Sequence, residues 1–130
     1  MTLTHKILVV GDERDVVELY AYSLKARSYD IHQLLVSYRS KTFEEHFAGI
    51  LAIHEKQHFD LVFIYCFHPS IELLKLIREQ INTPVVIYAV TWLDECYQEI
   101  ATLTDACFRM PSPLEDIGTA VDDILRSNIT

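Results

Sequence analysis

Two acids, Asp12 and Glu13, follow directly on the apolar run HKILVV and Gly11. Carboxylate oxygens in such a pair suit a hard divalent cation, which makes Asp12 and Glu13 the one candidate for weak metal binding. The competing role is ordinary: acids at this place are solvated, or cap the first turn of a helix. Of the six histidines, His46, His54 and His58 share one segment, and only His54 and His58 have the i, i+4 spacing that puts two imidazoles on one helix face. No HExxH pattern or acidic third ligand accompanies them, so a surface or edge-of-core role is expected and no resident metal or cofactor. Cys66, Cys96 and Cys107 make no CxxC or other metal spacing. An odd count without a secretion signal points to reduced thiols in a cytoplasmic protein, with Cys66 and Cys107 as the pair through which a redox switch would run. Only three glycines are present, Gly11, Gly49 and Gly118, too few for a phosphate cradle. No nucleophile–base pair is evident, and no enzymatic activity is expected.

The bulk properties narrow the class further. A chain of 130 residues that is half hydrophobic and 23% charged reads as one globular domain, 1–130. The net charge of −8 comes without a basic cluster, so nucleic acid is not an expected partner. The longest apolar runs, such as 61–67, fall far short of the roughly 20 residues that cross a bilayer, so no membrane association is expected either. The start, MTLTHKILVVGDE, reads as a first strand and not as a secretion signal.

These residues are positioned by alternating segments. HKILVV (5–10) is a strand; the segment after it repeats apolar residues at Val16, Val17, Tyr20 and Leu24, a helical spacing. YDIHQLLVS (29–37) is a second strand, and 41–58 a helix with Phe43, Phe47, Ile50, Leu51 and His54 in steps of three and four. DLVFIYCF (60–67) lacks polar alternation, as a strand buried on both faces should. Ser70 is the expected N-cap of the third helix. TPVVIYAV (83–90) is a fourth strand, DECYQEIATLT (94–104) a weaker helix capped by Asp94, and ACFRM (106–110) a short fifth strand. Pro113 opens the last helix, with Leu114, Ile117, Val121, Ile124 and Leu125 as its apolar stripe. Five strands alternating with five helices predict a three-layer, flavodoxin-like, doubly wound parallel sheet of order 2-1-3-4-5. Sites in that fold form at the carboxyl ends of the strands.

The stretches KILVVGDE, FDLVFIYCFHP, TPVVIYAVT and ACFRMPSPLEDI together resemble the CheY-like receiver domains of two-component response regulators, over nearly the whole chain. The resemblance implies a phosphoryl-transfer site: two acids holding Mg²⁺, an acceptor aspartate ending the third strand, a hydroxyl after the fourth, and a lysine before the proline of the fifth. Carried over, these positions are Gly11, Asp12, Tyr65, Ala89 and Met110, with Glu13 beside them. Only Asp12 keeps the required chemistry. A phenol with a pKa of about 10 is no substitute for a carboxylate nucleophile. Ala89 cannot hydrogen-bond the phosphoryl group, and Met110 cannot neutralise it. Tyr65 is expected to be a packed aromatic, with phosphorylation of its hydroxyl the lesser alternative. The resemblance also implies a cis peptide at Met110–Pro111, and it places Cys107 where an aromatic switch residue usually stands.

What then remains is a surface. The resemblance implies signalling through the face made by helix four, strand five and helix five, where Trp92, Tyr97, Phe108 and Arg109 are candidate partner-binding residues of types that dominate interface energies. The expectation is a degenerate pseudo-receiver: a phosphorylation-independent adaptor for a signalling or regulatory protein, stand-alone or one domain of a longer chain, with a homodimer through the same face as a possible assembly. The alternative is a sensor in which a small ligand, a metal or thiol oxidation acts at the altered pocket.

Overall fold

The computed structural model describes residues 4–36 and 43–127. The elements follow in the order β1 (Lys6–Gly11), α1 (Arg14–Lys25), β2 (Asp30–Leu35), α2 (Phe43–Gln57), β3 (Leu61–Cys66), α3 (Ile71–Gln80), β4 (Val85–Ala89), a 3₁₀ turn (Asp94–Cys96), α4 (Tyr97–Leu103), β5 (Ala106–Arg109) and α5 (Leu114–Ser127). All five strands are parallel and lie in the order β2-β1-β3-β4-β5, the topology that the alternation predicted. The expected strands overshoot the observed ones by one or two residues at most ends, while the first stops one residue short of Gly11; flanking amides such as those of Val36, Asp60 and Val90 still bond to the neighbouring strand. Residues 37, 41 and 42 of the expected elements lie outside the described residues.

Helices cover both faces of the sheet. On one face Leu8, Val10, Ile64, Cys66, Ile87 and Ala89 pack beneath α2 and α3. On the other, Val9, Phe63, Tyr65 and Tyr88 pack beneath α1 and α5. Every residue of β3 and β4 is buried, which is why those strands carry no polar alternation.

Local chemistry sets the helix ends. Ser70 caps α3 as expected, its hydroxyl accepting from the Leu73 amide at 3.2 Å. Asp94 does not cap α4: it opens the 3₁₀ turn, and Cys96 holds the cap position with no side-chain hydrogen bond. Glu13 occupies the cap position of α1, but only its backbone carbonyl is used, accepting from Val17 at 3.0 Å. In the α5 stripe Ile117, Val121 and Leu125 are buried, whereas Leu114 is exposed, since it stands at the helix start beyond the edge of the core. The Met110–Pro111 peptide is cis, as the resemblance implied.

Candidate functional site

The carboxyl ends of β1 and β3 bring Gly11 and Tyr65 together. The ladder pairs Val10 with Ile64, which sets the next residues of each strand side by side. A Cβ added at Gly11 would lie 3.5 Å from the Tyr65 Cβ and only 2.7 Å from the Val17 Cγ2. A side chain at position 11 would therefore have to displace the Val17 methyl from α1, whereas its contact with the base of Tyr65 would be an ordinary one.

Tyr65 is 4% exposed and belongs to an aromatic cluster. Its ring stacks on Tyr88, its ladder partner in β4, with centroids 5.9 Å apart and planes at 21°. Tyr20 of α1 covers the pair, 6.4 Å from Tyr65 and 5.3 Å from Tyr88, and also touches Phe63 at 5.1 Å. The Tyr20 hydroxyl hydrogen-bonds Tyr88; burial first, and then that bond, raise the Tyr20 pKa. Burial also raises that of Tyr65, and the nearby charges of Glu13 and Asp12 raise it further. The Tyr20 and Tyr65 phenols are thus held neutral, and the two exposed acids, Asp12 and Glu13, stand near Tyr65. The sequence reading did not foresee Val17, Tyr20 and Tyr88 as parts of this end of the sheet. The available signal was that Tyr65 and Tyr88 occupy equivalent places in two uninterrupted apolar runs.

The other candidate positions do not join that cluster. Ala89 is fully buried on the opposite face, paired with Cys66 and Arg109. Met110 is exposed, its amide donating to the Ala89 carbonyl at 2.9 Å. Among the described residues no group of three or more His, Cys, Asp or Glu side chains is arranged to hold a metal ion, so Asp12 and Glu13 stand without further ligands. His54 and His58 do contact each other, with rings 5.3 Å apart. However, the His54 Nδ1 accepts the Phe59 amide at 3.2 Å, which uses its lone pair structurally, and burial lowers its pKa.

Cys66 and Cys107 face the same side of the sheet. They are two strands apart, with β4 between them. Two inter-strand spacings make about 10 Å, beyond the roughly 7 Å of Cα separation that a disulfide tolerates. Burial pushes the Cys66 thiol up to about 12 and raises that of Cys107 as well. Neither has the character of a reactive thiolate. A small, partly open pocket lies beside Cys66, between β3, α2 and α3, with a volume of about 50 Å³; His46, His68 and Ser70 are among its walls.

Of the expected partner-binding residues, the structure brings three together. The Arg109 guanidinium sits 5.4 Å over the Trp92 ring, Trp92 packs 5.7 Å from Tyr97, and Asp94 lies 3.6 Å from Arg109. Tyr97 and Arg109 are exposed, and Trp92 is half-buried against the core. Phe108 is not part of this cluster: it pairs with Tyr88 and packs on the α1–α5 side, because successive strand residues point to opposite faces. His68 ties the neighbouring loops. Its Nδ1 lies 3.0 Å from the Pro69 carbonyl, and its Nε2 accepts the Leu93 amide at 3.4 Å. The exposed side chains of Phe67 and Leu93 stand on these loops.

No protein-family model matches the chain, and a search of curated proteins returns no match. Solved structures do match. A CheY-like receiver domain protein from Methanospirillum hungatei is 17% identical, with a TM-score of 0.75 and 96% of each chain covered. A two-component response regulator from Clostridium difficile is 21% identical, with a TM-score of 0.75 over 98% of this chain and all of the other. An orphan response regulator of H. pylori is 11% identical, with a TM-score of 0.72 over 94% of this chain and 97% of the other. Strand order, helix number and these superpositions agree: the chain has the CheY-like receiver-domain fold.

Proposed function

We propose that this chain is a pseudo-receiver, a signalling module that works through protein contacts without accepting a phosphoryl group. One observation carries the reading. The Tyr65 ring, stacked on Tyr88 and capped by Tyr20, fills the end of β3 where the receiver resemblance puts the acceptor aspartate. At Gly11, where the resemblance puts the first metal-binding acid, a side chain would collide with the Val17 methyl. No catalytic step is assigned to any residue. The output surface is the cluster of Trp92 in the loop after β4, Tyr97 at the start of α4 and Arg109 at the end of β5, where two aromatic rings and a guanidinium converge and Asp94 braces the arginine. Residues of these types anchor protein interfaces. The likeness to an orphan response regulator supports a signalling role.

Amide NMR spectra recorded with and without Mg²⁺ and beryllofluoride, a mimic of the aspartyl phosphate, test the reading. Unchanged resonances at Gly11–Glu13, Tyr65 and Met110 are expected. Saturable shifts there would mean that a carboxylate still takes the phosphoryl group.

The small pocket beside Cys66 favours a second reading, a small-ligand sensor on the opposite side of β3 from Tyr65. A ligand there would raise the melting temperature through linkage, and Leu74→Trp would abolish the rise.

A further inference from the structure

The most exposed large apolar side chain among the described residues is Tyr22, at 77%, and Leu19 beside it is 49% exposed. Both lie on the outer side of α1, opposite the stripe of Val17, Tyr20, Ala21 and Leu24 that enters the core. With Ala26 and with Leu114 of α5 they line one shallow groove. Scattered exposed apolar residues need no explanation, but a contiguous apolar groove between two helices does.

The charges around this groove indicate what covers it. The exposed charged residues of α1 are Arg14, Asp15 and Glu18 toward its start and Lys25 at its end. In an antiparallel two-fold pairing centred between Leu19 and Tyr22, each Leu19 meets the other copy's Tyr22. Counting along the helix from that centre, Lys25 of one copy falls opposite Val16 of the other, between Asp15 and Glu18. Arg14 falls opposite the other copy's Arg27, which is already held by Glu115 and Asp122, so that cluster has more acid than base. The surface is self-complementary, as an isologous interface requires. On the α4 side the exposed acids are already matched within one copy, Asp94 by Arg109 at 3.6 Å and Glu99 by Lys75 at 3.5 Å, which leaves Glu95 with no ion pair among the described residues and no base offered to a second copy.

We propose that two copies of this chain associate through α1, with Leu19 and Tyr22 at the centre and Lys25 paired with the acids of the opposite α1. This differs from the homodimer through helix four, strand five and helix five that the sequence suggested. It also leaves the Trp92–Arg109 cluster free, so the proposal stands or falls separately from the pseudo-receiver reading.

Sedimentation equilibrium over a range of protein concentrations tests it. A dimer with a dissociation constant in the micromolar range is expected. Tyr22→Ala and Leu19→Ala alter exposed positions, so both variants should keep the wild-type circular dichroism spectrum and sediment as monomers. Glu18→Lys and Lys25→Glu should each weaken association about tenfold, since each change acts twice across a two-fold axis, and the double variant should restore it. A wild-type protein that is monomeric at every concentration overturns the proposal. So does a dimer that survives Tyr22→Ala, or a charge exchange that fails to restore association.

Discussion

The guanidinium of Arg27 lies across the backbone of α5 at Gly118, where a Cβ would collide with its Nε, Cζ and Nη2 atoms. From there Arg27 reaches Glu115 and Asp122 on either side of the glycine, and Asp122 also accepts the Tyr29 hydroxyl. The end of α1 and the start of β2 are thereby fastened to α5. Glycine in a helix interior costs about 1 kcal/mol relative to alanine, and here that cost accompanies the close approach of the arginine.

The first prediction is a reversal of sign. In an Arg27→Ala background, Gly118→Ala should stabilise the protein by about 1 kcal/mol, the helix-propensity gain. In the wild type the same change displaces the clamp and should destabilise or be neutral. Urea denaturation of the four proteins in this cycle measures the coupling directly.

An aspartate placed at position 65 should be poorly tolerated. Tyr65→Asp removes a ring packed among Tyr20, Phe63 and Tyr88 and sets a carboxylate against that cluster, at a cost of about 3 kcal/mol or more. Tyr65→Phe keeps the ring and should cost about 1 kcal/mol or less. Denaturation midpoints separate the two, and neither variant should bind beryllofluoride.

His54 makes stability depend on pH. Its folded pKa lies below the ordinary 6.5, chiefly through burial, so below about pH 7 the unfolded chain binds more protons at this site. Stability from this group is therefore full above 6.5 and falls as the pH drops through 6.5 toward the folded value. His54→Gln, which can still accept from the Phe59 amide, should show a shallower loss between pH 7.5 and 5.5 in thermal melts.

The partner surface should separate binding from folding. Arg109→Ala and Tyr97→Ala remove exposed groups and should change stability by about 0.5 kcal/mol or less. If the cluster is the output surface, each should weaken partner binding about tenfold or more in calorimetric titration. Phe108→Ala should do the opposite, losing stability through its contacts on the α1–α5 side while leaving the Trp92 cluster in place.

Native Cys66 should be unreactive. With the thiol buried and its pKa near 12, a disulfide exchange reagent should modify it only at the rate of unfolding, whereas Cys96 should react in the folded protein. Mass spectrometry of the labelled peptides distinguishes the sites.

The sequence by itself determined the architecture, because uninterrupted apolar runs such as 61–66 and 85–89 suit strands covered on both faces, and alternation with amphipathic helices then leaves few parallel orders, of which 2-1-3-4-5 suits a chain of this size. It also located the carboxyl ends of the strands, where Gly11, Tyr65 and Ala89 stand, since those are matters of identity at places along a strand. What it could not determine was which side chains meet across elements. That Val17 crowds Gly11 depends on how α1 seats on β1. That Tyr65, Tyr88 and Tyr20 form one cluster depends on the β3–β4 register. The face on which Phe108 falls depends on the register of β5, where a shift of one residue would have put it with Trp92. The outward stripe of Leu19 and Tyr22 became visible only once the packing of α1 had fixed which side of the helix was inside.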